Sequence, residues 1–252
     1  MTFDRYLHEK TNARYEKEET PKKKTEKPKI EIPSGKFYRL MNSQEKQRYS
    51  EAVKSFNSEN ARNILSRESN TFKVVLLNQI GIITPTLHEL EMIVESNPKF
   101  LRGHYEDVPA VVLRSEKDSY EPNNPLLAHL IKQAEIKKFG NPYILTGLKV
   151  KEDDNPGYNL IFNFDKDSKV IEAPDFAFSN NQKKFKRINS DYSIEWCSEG
   201  ENGRIFYAKQ TGLSRLCLYG YFGLVSDWDD LDYSNADGRV VVVDAEGVAT
   251  KN

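Results

Sequence analysis

The chain has 252 residues, 38% of them hydrophobic and 30% charged, which supports one sizeable core and excludes a wholly disordered protein. Its 37 basic and 38 acidic side chains leave a net charge of -1, so no overall field draws it to nucleic acid or to an anionic membrane. Cys197 and Cys217 are too few for a disulfide framework and lack the paired Cys/His spacing of a zinc site.

Residues 1–36 mix charges of both signs around Pro21 and Pro28 and read as a disordered, charged tail. Its Lys22-Lys23-Lys24 cluster is interleaved with Glu16, Glu18, Glu19 and Glu26, which oppose contact with a phosphate backbone. The start, MTFDRYLHEK, lacks the apolar stretch of a secretory signal, and no window reaches the apolar length of a membrane span. The expectation is a cytoplasmic protein by default, with no membrane insertion.

Residues 37–105 read as a small helical N-terminal module. Asn42 and Glu45 have the spacing of a capping box, and Tyr49, Val53 and Phe56 follow on one helical face. FKVVLL is expected as a short strand. Thr86 and Glu89 again form a capping box, opening a second helix with the apolar stripe Leu87, Leu90, Ile93 and Val94.

From residue 106 the pattern becomes strand, helix, then mostly strands. EDVPAVVLRSE reads as a strand, and a helix is expected from about Pro125 to Phe139, capped by Asn124 and left through Gly140. Its Leu127, Leu130, Ile131 and Ala134 require a sheet to pack on. After the turn DDNPG, Tyr158, Leu160, Phe162 and Phe164 alternate with Asn159, Ile161 and Asn163, the mark of a half-buried antiparallel strand. SKVIEAP, GRIFYA and GRVVVV complete the strands. The Val240 to Val243 run suggests burial on both faces, in a sheet that ends with this strand. The fold class is α+β, with a small mixed antiparallel sheet.

Catalytic chemistry is not indicated, and neither an enzyme nor a cofactor is expected. His8, His88, His104 and His129 are scattered, and there is no G-x-S-x-G, P-loop or G-x-G-x-x-G. The run Asp227, Asp229, Asp230, Asp232 fails the EF-hand spacing, because Leu231 stands at a ligand position and no glycine follows for the turn. EPN, Glu121 to Asn123, is similar to the sugar-binding calcium motif of lectins, but it precedes the expected helix and stands far from DWDD in the chain. It reads as a turn leading into that helix, so no metal is expected. NNQKKFKR, Asn180 to Arg187, reads as a solvated loop. The alternative is an intracellular nucleic-acid-binding or defence-associated adaptor, acting through the basic tail and through Lys183, Lys184, Lys186 and Arg187.

The last segment uses a different alphabet. From Gly212 to Val243 there is no Lys, Glu, Gln or Met, although Lys and Glu abound before it. Between and after the leucines at 216, 218, 224 and 231, up to Gly238, stand Cys, Tyr, Gly, Phe, Val, Ser, Asp, Asn and Ala, all types with a codon ending in a pyrimidine. Trp228 has no such codon and reads as framework. This pattern results when the adenines of asparagine codons are randomised and the intervening codons are left alone.

GLSRLCLYGYFGLVSDWDDLDYSNADGRVVVV, with ILTGLKVKEDDNPGYNLIF and KVIEAPDF upstream, resembles the variable (target) proteins of diversity-generating retroelements. In that family a reverse transcriptase copies a template, with errors at adenines, into the end of the gene. The resemblance implies a C-type lectin-like variable domain over residues 106–252, with its variable region at about 215–238. It implies a non-enzymatic ligand-binding protein with a hypervariable surface and an unknown, variant-specific protein ligand, met in the cytoplasm, on a virion or at a cell surface. Leu216, Leu218, Leu224, Trp228, Leu231, Gly238, Arg239 and the valines would be scaffold. The displayed positions would be Cys217, Tyr219, Gly220, Tyr221, Phe222, Gly223, Val225, Ser226, Asp227, Asp229, Asp230, Asp232, Tyr233, Ser234, Asn235, Ala236 and Asp237. Their aromatic, Gly, Ser, Asn and Asp mix is that of antibody paratopes.

Overall fold

The computed structural model describes residues 30–31, 36–97, 99–155, 157–178, 183–219 and 223–244. Most of the expected tail lies outside them. Ile30–Glu31 does not behave as tail: it forms strand β1, antiparallel to β2, Phe37–Leu40.

Helix α1, Ser43–Lys54, starts as its sequence indicates. The Asn42 side chain accepts from the Glu45 amide at 2.9 Å, and the Glu45 carboxylate accepts from the Asn42 amide at 2.8 Å. A further helix, α2, Glu59–Ser66, is capped by Ser58 and was not anticipated. FKVVLL is helical rather than extended, lying within α3, Thr71–Gln79, where Asn70 caps the Lys73 amide. Thr71 through Leu77 are all buried, so the helix has no polar face, and a short apolar run of this kind fits a buried helix and a buried strand equally well. Phe72 stacks on Phe162 at 4.6 Å and tilts against Tyr158 at 5.0 Å. Helix α4, Leu87–Ser96, carries the expected Thr86–Glu89 capping box.

The main sheet is larger than expected. Its strands are β3 Tyr105–Leu113, β4 Tyr143–Thr146, β7 Lys169–Glu172, β8 Lys183–Ile188, β9 Ile194–Trp196, β10 Arg204–Ala208, β11 Leu213–Tyr219 and β12 Gly223–Ser226, in the order β7-β4-β3-β11-β12-β10-β8-β9. Only β10 and β12 run parallel. Strands β5, Lys149–Glu152, and β6, Leu160–Asn163, form a separate hairpin. The C-terminal strand β13, Val241–Asp244, does not end the main sheet; it pairs with β2, Val241 facing Leu40. Helix α5, Asn124–Gln133, is shorter than expected. Asn124 is its first residue rather than its cap, and Glu135, at φ 52, turns the chain away before Phe139.

Alternation along β3 and β11 divides the core. Val111 and Leu113 join one hydrophobic cluster with Leu213, α1 to α3, α5 and the β5–β6 hairpin. Val108, Ala110 and Val112 join a second with Leu216, Leu218 and α4. Residues 37–105 therefore form no separate module: their helices cover both faces of the sheet that the later strands build. Val242 belongs to the first cluster and Val241 to the second, as a strand buried on both faces requires. Replacing Val242 with Asp should cost roughly 3–5 kcal/mol and lower Tm by about 10 °C, because the new carboxylate has no partner in an apolar wall. An unchanged melting curve would contradict this placement.

Candidate functional site

Strand β3 carries two consecutive acids, Glu106 and Asp107, in an otherwise apolar run, and each meets one arginine of the last segment. The pairing of β3 with β11 shifts between Arg215 and Cys217, across the stretch of β3 holding Pro109, which has no N–H to give. Arg215 lies on the same sheet face as Asp107. Both side chains are 0% exposed, and the guanidinium grips the carboxylate with two bonds, Nε to Oδ1 at 2.7 Å and Nη2 to Oδ2 at 2.5 Å. The Ser69 hydroxyl donates to Asp107 at 2.8 Å. Burial alone would lower the Arg215 guanidinium, but the Asp107 carboxylate outweighs it and holds the group firmly charged. Tyr105 and Trp228 each place a ring 5.1 Å from the guanidinium carbon. Glu106 points the other way: one oxygen accepts from Arg239 Nε at 2.9 Å and the other from the Val241 amide at 3.1 Å.

Between the two arginines the chain leaves β12 and runs back over the Tyr105–Asp107 face without regular structure. Main-chain carbonyls along this stretch are met by groups outside it. The Arg215 amide donates to Trp228 O at 3.0 Å, Asn123 Nδ2 to Asp229 O at 2.8 Å, the Thr71 amide to Leu231 O at 3.3 Å, and Arg215 Nη1 to Tyr233 O at 2.7 Å. The Tyr105 amide donates to Asp237 O and its own carbonyl accepts from the Arg239 amide, both at 3.1 Å. Tyr158 accepts from the Leu231 amide at 3.4 Å while donating to Asn123 Oδ1 at 2.7 Å. Leu231 itself is buried in the core, and a Cβ on Gly238 would stand 2.6 Å from the Tyr105 hydroxyl, so glycine is required there.

The expected display positions divide into three groups. Gly220, Tyr221 and Phe222 lie outside the described residues. Cys217, Gly223, Val225 and Ser226 are buried and leave the proposed surface. The Cys217 thiol is pushed far up by burial, the Ser226 hydroxyl accepts from Arg114 Nη2 at 2.7 Å, and any Cβ on Gly223 would collide with the Ile205 carbonyl. The third group is accessible. Ala236 is exposed, and Tyr219, Asp227, Asp229, Asp230, Asp232, Tyr233, Ser234, Asn235 and Asp237 are half-buried. Tyr219 stacks on Tyr105 with ring centres 6.3 Å apart, and Tyr233 meets Trp228 edge-on at 5.7 Å. Trp228 is itself half-buried, with its ring edge-on to Tyr105 at 5.5 Å as well.

The residues that secure this loop, Asp107, Asn123, Tyr158 and Tyr105, were not anticipated. The signal for Asp107 and its partner Arg215 was a charge in a strand that must be buried: Glu-Asp in YEDVPAVVL and Arg in LSRLCLY. EPN does lead into α5, but its remoteness from DWDD in the chain does not persist in space. Asn123 is fully buried and bonds to the carbonyl of Asp229. Asp118 beside it accepts from the Leu213 amide and from Lys209, each at 2.7 Å. Burial would raise that carboxyl, but these bonds and the one from Asn123 prevail and hold it below the ordinary range.

Among the described residues, no group of three or more His, Cys, Asp or Glu is arranged to hold a metal, and no helix is long and apolar enough to cross a membrane. His88, His104 and His129 bond separately to Ile188 O, Asp237 O and Asn163 Oδ1. Of the basic stretch ending at Arg187, Lys183 to Ile188 is strand β8 rather than loop; Lys186 pairs with Glu201 at 3.0 Å and Arg187 with Glu95 at 3.4 Å. Those acids offset the charge that a phosphate backbone would need. Comparison of the chain with protein-family models, curated proteins and solved structures finds no match in any of the three.

One loop carboxylate gives a direct test of this geometry. Burial, then the adjoining Asp232 carboxyl, push Asp230 up to about 7. The unfolded chain releases that proton near pH 4, so between about pH 4 and 7 the folded state holds a proton that the unfolded state lacks, and stability falls as pH rises through this window. Asp230→Asn should therefore stabilise the protein more at pH 8 than at pH 5 in urea denaturation. An equal effect at both would place Asp230 in open solvent.

Proposed function

We propose that the chain is a non-enzymatic binding protein in which residues 106–252 form a C-type lectin-like scaffold for a retroelement-diversified recognition surface. The surface comprises Asp227, Asp229, Asp230, Asp232, Ser234, Asn235, Ala236 and Asp237, rimmed by Tyr219 and Tyr233. The observation that carries the reading is the division of labour in this loop. Most of the main-chain bonds that tie it to the rest of the fold are made by Arg215, Asn123, Thr71, Tyr105 and Tyr158, while its own Asn235 accepts from the Asp237 amide at 2.9 Å and Ser234 from the Ser69 amide at 3.0 Å, so the path of the backbone depends more on the framework than on the side chains it bears. Compact surface loops of the Ω type are, by contrast, packed by their own side chains. The restricted alphabet from Gly212 to Val243 supports the same reading from the side of the gene.

The ligand is a protein, and for this variant one with a basic face. Five carboxyl groups lie within the surface, at 227, 229, 230, 232 and 237, of which Asp230 is the one pushed up to about 7. Arg67 stands 2.6 Å from Asp232, and Lys209, already committed to Asp118, stands 3.6 Å from Asp229. Complementary charge sets association rate and partner choice more than total affinity, so binding by this variant should weaken with salt.

The genetic arrangement tests the reading. A near-copy of the codons for Leu213 to Val243, with asparagine codons at the surface positions and a reverse transcriptase gene beside it, is the expected finding. An intact locus lacking both would contradict diversification.

A further inference from the structure

Against Gly238 to Val240 lies an open recess of about 660 Å³, lined also by Leu40, Met41 and residues of α1, α2 and the start of α3. This volume is that of a small-molecule site rather than a packing defect. Its charged lining is one-sided: Lys46, Lys54, Arg62, Lys73 and Arg239 against Glu68, in a chain whose total charge is -1. Arg239 is already paired with Glu106. Arg62 donates to the carbonyls of Phe56 and Asn57, both at 2.7 Å, which fix the guanidinium without neutralising it.

Lys73 is the decisive group. Its residue is 8% exposed, yet no carboxylate lies within ion-pair distance of it among the described residues. The ammonium donates to the Arg67 carbonyl and sits 5.3 Å from the centre of the Tyr49 ring. Buried charges are ordinarily paired, because an unpaired one forfeits hydration and gains nothing in return. Here the missing counter-charge faces an open cavity whose rim carries two further cations, Lys46 and Lys54, both exposed. Met41, Val53 and Val240 supply an apolar wall opposite.

We propose that this cavity binds a small phosphate monoester with an apolar organic part, of about nucleotide size, its phosphate taken by Lys73 and Arg62 and screened by Lys46 and Lys54. A phosphate dianion matches several cations around one recess, and the apolar wall accommodates the group it is attached to. Burial lowers the Lys73 ammonium to about 8, with Glu68 opposing and Lys46 assisting. A bound dianion favours the charged form, so affinity should fall as pH rises from about 7 to about 9.

Calorimetric titration of the 252-residue chain with AMP, adenosine and inorganic phosphate, at fixed ionic strength, tests the proposal. AMP should bind about tenfold more tightly than either fragment, and the double variant Lys46→Ala/Lys54→Ala, changed only at exposed positions, should weaken AMP by about fivefold. Lys73→Met should abolish binding; if that variant fails to fold, the double variant decides. Absence of AMP binding, equal binding of adenosine, or an unchanged affinity in the double variant would each overturn the assignment.

Discussion

Glu106 and Asp107, adjacent on one central strand, fix both ends of the protein's last irregular segment. Successive residues of a strand face opposite ways, so the two carboxylates reach to opposite sides of the sheet, one to Arg239 and the other to Arg215. Taking Arg215 and Asp107 out of water costs several kcal/mol for each ion, burial pushes the Glu106 carboxyl up to about 8 against the pull of Arg239, and a well-packed apolar replacement of a whole pair is often no less stable. Removing one partner is different: it strands a buried charge and costs roughly 3–5 kcal/mol. What the pairs contribute is therefore the position of the segment. With Arg215 and Arg239 placed, Trp228, Leu231 and Gly238 have one arrangement over Tyr105, and the intervening residues are carried across the sheet face with their side chains outward or half-buried.

This arrangement reconciles variation with stability. Exposed substitutions usually change stability by less than about half a kcal/mol, whereas changes at buried polar hubs leave donors or acceptors unpaired at a cost of about 1–3 kcal/mol each. In this protein accessible and buried positions alternate along one loop, with Leu231 packed in the core and Gly238 against Tyr105. Cys217, Gly223, Val225 and Ser226 stand among the permissive residue types and yet are packed. Their alphabet is that of the surface, but β11 and β12 are interior strands of the sheet, covered on both faces.

Much of the architecture was legible in the sequence, and the failures have identifiable causes. The capping boxes at Asn42 and Thr86 were readable because their bonds join residues three apart, with no tertiary help required. The Tyr158 to Phe164 alternation was readable because one face of β6 is covered and the other is not. FKVVLL misled because α3 is covered all round, which erases the helical period; Asn70 before it was the informative residue. The valines of β13 correctly announced burial on both faces, but nothing local to them names β2 as partner, some two hundred residues earlier in the chain. The loop's supports were hidden for the same reason. Asn123 looked like a turn residue because its role depends on Asp229 and Tyr158, which only the fold brings to it.

The central claim is that framework groups, more than the loop's own side chains, hold the loop's backbone. Amide hydrogen exchange measures this directly in a variant with Asp227, Asp229, Asp232, Ser234 and Asp237 all replaced by Ala. The amides of Thr71, Tyr105 and Arg215, which donate to Leu231, Asp237 and Trp228, and that of Arg239, which donates to Tyr105, should keep the protection they have in the parent protein. Loss of protection at these four amides, with the rest of β3 and β11 unchanged, would show that the loop is shaped by the very side chains it is proposed to vary.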